Sequence, residues 1–192
     1  MEGEPILALN RGLKAFKDDL CQDPLASRRV EVAVVTFDSD VKVAQDFVTA
    51  DLFEPPGLTA QGSTLMGSAI QKALDMIAVR KEQYKAAGIL YYRPWVFMIT
   101  DGEPQGESEE FLRQVAGQVH DEEEHKRVAF FAVGVDKADM SRLSQLSVRA
   151  PVRLQGLNFV QMFVWLSRSA QVVSHSKMNE QVALPPPGWG TV

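Results

Sequence analysis

With 192 residues, 45% of them apolar and 23% charged, the chain has the make-up of one ordinary, well-buried globular domain. Its net charge of −5, with Lys and Arg scattered and Arg28-Arg29 no more than a pair, excludes a phosphate-tracking nucleic-acid partner. Cys21 is the sole cysteine, so no internal disulfide can form, and no apolar run approaches the ~20 residues of a membrane span. The opening lacks the basic–apolar–small pattern of a leader. The expectation is a cytoplasmic protein without a transmembrane segment.

In chain order, Ile6, Leu9, Leu13, Phe16 and Leu20 recur at spacings of three and four, which predicts an amphipathic helix over 4–21. Pro5 suits its first turn, where a missing N–H costs nothing. "VEVAVVTF" (30–37) is β-branched and almost continuously apolar, as a strand covered on both faces should be. "DSD" (38–40) is turn chemistry and "VKVAQDF" (41–47) alternates, so a hairpin runs out to a sheet edge. "EPPGLTAQGS" (54–63) is a Pro- and Gly-rich loop, followed by a helix over about 67–80 with Ile70, Ala73, Leu74 and Ile77 on one face.

"WVFMIT" (95–100) is a second buried-type strand. Ser108 is placed to cap a helix carrying Phe111, Leu112, Val115 and Val119, with Glu109 and Glu110 in its first turn. "RVAFFAVGV" (127–135) is a third buried strand, then come a short helix with Met140, Leu143 and Leu146 and a strand at 151–155. Asn158 can cap a last helix carrying Phe159, Met162, Phe163 and Leu166. The organisation expected is one domain over 1–171 and an extended, loosely ordered tail over 172–192. Helices alternate with continuous apolar strands, the pattern of a doubly wound, mostly parallel open α/β sheet with helices on both faces. Such sheets keep functional residues beyond the carboxyl ends of their strands, which is where Asp101 falls in "MITDGEP" (98–104).

Thr64 in "GSTLMG" and Asp101 in "TDGEP" offer a hydroxyl and a carboxylate at two strand-to-helix junctions. Hard oxygens of this kind suit Mg²⁺, which retains several waters. The plainer account is that Asp101-Gly102 makes a turn and that Ser63 or Thr64 caps the next helix. His120, Asp121 and His125 read as part of a solvated charge run, since a five-residue spacing turns the rings to different sides of a helix. Asp38 and Asp40 read as a hairpin tip. Ser68 lacks a nucleophile elbow, and there is no Gly-rich nucleotide loop.

"GSTLMGSAI" (62–70) followed by "VFMITDGEP" (96–104) resembles the von Willebrand factor type A (VWA) domain. Within that family the match is to the bacterial subgroup associated with tellurium resistance, through "GEPILALNRGL", "ITDGEP" and the "ALPPPGWG" tail. The resemblance implies a Rossmann-like fold and a metal-ion-dependent adhesion site. In that site an Asp-x-Ser-x-Ser loop, a Thr and an Asp hold Mg²⁺, and Mn²⁺ or Ca²⁺ are its alternatives. By motif, Thr64 and Asp101 stand for the second and third loops. Asp-x-Ser-x-Ser is absent from this sequence, and in the family it stands just before the first helix, so the first strand and its loop are expected to be missing.

The function implied is a non-enzymatic protein–protein interaction module with an incomplete adhesion site, linked to tellurium resistance and stress response. A partner's carboxylate would complete the ion's coordination, with Glu103 and the 54–63 loop at the rim. Self-association through the incomplete sheet is a further expectation. The alternatives are a metal-free scaffold and a Mg²⁺-dependent phosphoryl-transfer enzyme using Asp101.

Overall fold

The computed structural model describes residues 1–177 and 180–191. The chain divides into two compact units. The first comprises Met1–Thr36, Lys42–Gln61 and Leu154–Thr191, and the second comprises Phe37–Val41 and Gly62–Arg153.

In the first unit, α1 (Glu4–Leu20) begins with a proline in its first turn and presents Leu9, Leu13, Phe16 and Leu20 as a buried stripe. The stripe lies along α6 (Phe159–His175), whose Phe159, Met162 and Phe163 are buried. Gly12 permits the close crossing, since a methyl group there would lie 2.7 Å from the Phe163 ring and 2.9 Å from Phe159 Cβ. Phe16 and Phe163 then meet with ring centroids 6.0 Å apart. A face that a sheet could have covered is thus spent, at least in part, on a helix. The short α2 (Ala26–Arg29), not foreseen from sequence, carries the Arg28-Arg29 pair, and Arg29 reaches the Ser174 carbonyl at 2.8 Å. Asn10 pins the Pro/Gly loop to α1 with both amide groups, bonding the Leu58 carbonyl and N–H at 2.9 Å each.

Strands β1 (Glu31–Phe37) and β2 (Val41–Thr49) form a two-stranded sheet, and its tip, residues 38–40, belongs to the second unit. Every residue of β1 is only half-buried, against the expectation of cover on both faces. A two-stranded ribbon leaves more of each strand open to water than a sheet interior does.

The second unit is built on parallel strands. β3 (Trp95–Thr100) pairs with β4 (Ala129–Gly134) in register from Trp95–Ala129 to Thr100–Gly134. β4 pairs in parallel with β5 (Val152–Leu154) at Val133–Val152 and Gly134–Arg153. α4 (Glu109–Glu124) makes the first crossover and α5 (Met140–Leu146) the second, as parallel neighbours require. α3 (Met66–Ala86) runs six residues beyond the expected end. Met66, Ile70, Met98, Val115, Val119, Phe130, Leu143 and Leu146 make the core. The α/β class and the parallel strands agree with the sequence reading. β4 is the buried strand expected, whereas Trp95, Val96, Phe97 and Ile99 of β3 are half-buried.

The last helix continues to His175, and Asn158 makes no side-chain cap to it. Trp189 is 4% exposed, and a short strand, β6 (Gly190–Thr191), follows it.

Candidate functional site

Three loops of the second unit meet at the carboxyl end of β3. The first is the β1–β2 tip, where Asp38 N–H donates to the Asp40 carbonyl at 3.0 Å and Asp40 N–H to the Asp38 carboxylate at 2.9 Å. Asp38 and Asp40 therefore serve the turn, as the plainer account had it.

The second loop, residues 62–65, is fastened to that tip. Ser63 N–H donates to Ser39 Oγ at 3.1 Å, the two hydroxyls lie 3.2 Å apart, and Leu65 N–H bonds the Asp38 carbonyl at 3.1 Å. The Thr64 carbonyl accepts from Met66 and from Gln105 N–H, each at 2.9 Å, so it also holds the third loop.

The third loop leaves β3 through Thr100, which is 3% exposed and accepts the Gly102 N–H on its hydroxyl at 3.3 Å. This bends the chain so that Gly102 comes up against Thr64. A methyl group on Gly102 would lie 3.3 Å from Thr64 Oγ1. The Thr64 hydroxyl and the Asp101–Gly102 turn are thereby brought together, both half-buried. Glu103 is exposed beside them.

Thr64 and Ser63 do not cap α3: the N-cap position is Leu65, with no side-chain cap bond. The cap comes from a residue that sequence reasoning missed. Glu107 accepts the Gly67 N–H on one oxygen and both the Ser68 N–H and hydroxyl on the other, all at 2.7 Å. Gly67 is required for this close approach, because a methyl group there would crowd Leu112, Phe111 and the Glu107 carboxylate at 3.0–3.2 Å. Ser68 is thus engaged as a donor in a helix cap.

The charge run 120–127 is only partly solvated. His120 and His125 are exposed, and His125 Nδ1 lies 2.9 Å from the Asp121 carbonyl. Glu123, however, is 8% exposed and receives Arg93 at 2.6 Å, Arg149 at 3.1 Å and the Phe130 N–H at 2.5 Å. Its position four residues after Val119 and eight after Val115 put it on the buried stripe of α4, a signal the sequence did contain.

As a metal site, the pair Thr64 and Asp101 supplies one hydroxyl and one carboxylate, hard donors of the type Mg²⁺ prefers. Among the described residues no three His, Cys, Asp or Glu side chains cluster so as to hold a metal ion. The donor set fits an ion that keeps most of its waters. Among the described residues no helix is long and apolar enough to cross a membrane.

Residues 13–159 match the family model of the von Willebrand factor type A domain. No curated protein matches the chain.

Proposed function

This chain belongs to the von Willebrand factor type A domain family, and from that premise we propose that it is a non-enzymatic module that binds another protein through a Mg²⁺-assisted surface at Thr64 and Asp101. What supports the reading is the approach of Thr64 to the Asp101–Gly102 turn at the carboxyl end of β3, with the Thr64 carbonyl bonding Gln105 N–H of the third loop while Ser63 and Leu65 fasten the same segment to the hairpin tip. Thr64 and Asp101 would hold the ion, and Glu103 would stand at the rim. When bound, the ion would offer open positions to a partner's carboxylate, and with two protein side chains its affinity would be low. Mn²⁺ and Ca²⁺ present the same kind of hard-cation chemistry.

The link to tellurium resistance and stress response rests on the "ITDGEP" and "ALPPPGWG" motifs. A cytoplasmic setting rests on a single cysteine with no possible internal disulfide.

Calorimetric titration of Mg²⁺ into the wild-type chain, Thr64→Ala and Asp101→Ala tests the reading. Weak binding in the wild type that is lost in both variants, with no turnover of a generic phosphoester, is the expected result. Ion binding that survives both substitutions refutes the site, and phosphoester turnover lost with Asp101→Ala moves the assignment to phosphoryl transfer.

A further inference from the structure

The proline-rich end of the chain is seated on a tryptophan of its own unit. Trp165, half-buried on α6, donates its indole N–H to the Pro185 carbonyl at 2.9 Å. The Trp189 ring lies 5.7 Å from that of Trp165, tilted by 60°. The Trp189 carbonyl accepts the Gln155 N–H at 3.1 Å, and Gly188 N–H closes a turn onto the Pro186 carbonyl at 2.9 Å.

These are the elements by which proteins read polyproline segments. An aromatic indole donates to a carbonyl in the run, an adjoining site takes one large side chain, and the ligand is stiffened before it binds. Pro185, Pro186 and Pro187 fix three φ angles in sequence, so little chain entropy is lost when the segment docks.

Two observations make the seat exchangeable. Among the described residues Trp189 Nε1 is buried and has no hydrogen-bond partner, so docking there leaves a donor desolvated and uncompensated. Glu180, Gln181, Ala183, Pro185 and Pro186 are exposed, so the segment is held chiefly at its far end. A segment anchored by its tip can leave one seat and enter an identical seat with the same contacts, which is how element exchange between copies costs so little.

We propose that the Trp165 face of α6 is a polyproline-binding surface, and that it exchanges its resident Pro185–Trp189 segment for the same segment of a second copy of this chain. The second copy is the occupant assigned because it carries the matching Pro-Pro-Pro-Gly-Trp sequence at equal concentration.

The test mixes two full-length variants. Trp165→Phe keeps the ring and the tail but loses the indole donor, and Trp189→Ala keeps the seat but loses its anchor. Each alone should sediment as a monomer, and the mixture should form heterodimers. Wild type should self-associate roughly tenfold more weakly than the mixed pair, because its own tail occupies most seats. A mixture that stays monomeric overturns the proposal, as does heterodimer formation by a pair in which both tails lack Trp189. If Trp189→Ala fails to fold, wild type with isotope-labelled tryptophan takes its place, with an excess of an unlabelled synthetic peptide of residues 180–191. The Trp189 indole signal should then move to the position of an exposed indole, and an unmoved signal overturns the proposal.

Discussion

Glu107 bonds Ser68 twice, taking its N–H and its hydroxyl on the same carboxylate oxygen, and so supplies the N-terminal cap of α3 from 39 residues away. No acidic residue of α3's own stands in its first turn. The carboxylate therefore meets both the orphan N–H groups and the positive end of the helix dipole. Glu107→Ala should lower stability by about 1–2 kcal/mol, read from the denaturant midpoint at unchanged slope. Glu107→Gln, which keeps an acceptor but no charge, should lose less. Equal midpoints for wild type and Glu107→Ala would show that the cap carries no weight.

Glu123 makes the opposite use of a carboxylate. It is buried at the end of α4 and binds Arg93, Arg149 and the first turn of backbone into β4. Arg149 is additionally placed over the Phe131 ring, 5.1 Å from its centroid. Removing the acid takes a partner from the partly buried Arg93 and the exposed Arg149 and strands a buried N–H, so Glu123→Ala should cost about 1–3 kcal/mol. Thermal unfolding of Glu123→Ala against Glu123→Gln measures it, with the glutamine variant less affected because it can still accept. A shift in the alanine variant no larger than that of a surface substitution would contradict the assignment.

These two residues mark where local sequence stops being informative. β3 was readable to the residue, because "WVFMIT" is apolar throughout and bounded by Pro94 and Asp101. The Ser108 cap was readable because its partner, the Phe111 N–H, is three residues away. Glu107 reaches across loops to another helix, and no periodicity encodes that. Glu123 was legible from its phase on α4, but it was masked by acids and bases on either side. Thr64 and Asp101 are paired by motif and by their place at strand-to-helix junctions, but the Gln105 N–H bond to the Thr64 carbonyl that ties their loops is one that side-chain types do not announce. Trp189 stands in the sequence as a lone large aromatic in a Pro- and Gly-rich tail, which marks it as a residue that packs onto something. Its seat on α6 is not marked, since Trp165 reads equally well as part of the helix's apolar face.

Two aspartates carry a pH dependence of defined sign. Asp139 caps α5, and the Ser141 hydroxyl, then the Arg142 N–H, hold its carboxyl below the ordinary value of 3.8. Asp23 is held down likewise, first by the Ala26 N–H and then by His175. A carboxyl with a depressed folded-state value stabilises the fold fully above its unfolded value and loses that contribution as pH falls through the folded one. The stability difference between wild type and Asp139→Ala should therefore be constant from neutral pH down to about 4, then shrink as the pH drops further. Urea unfolding of both proteins across that range is the measurement. A difference that persists undiminished well below the ordinary aspartate range would mean the cap does not act through the ionised group.

Gly62 links the fold to the proposed site. Its φ is +77°, a region that L side chains rarely adopt, and a methyl group there would collide with Ser39 Oγ. Gly62→Ala therefore combines backbone strain with a collision against the hydroxyl that fastens Ser63, and should cost about 1–3 kcal/mol. The collision also levers residues 62–65 off the hairpin tip, which carries Thr64 away from the Asp101–Gly102 turn. Mg²⁺ affinity should fall together with stability in Gly62→Ala. Gly57→Ala is the control, since Gly57 has no positive φ and, among the described residues, nothing within 4 Å of its added methyl group, so it should change neither. Removing the obstacle in Gly62→Ala/Ser39→Gly should recover the steric part of the loss but not the φ strain, giving a favourable coupling between two substitutions that are each destabilising. If the double variant is merely the sum of its parts, Ser39 is not what Gly62 makes room for.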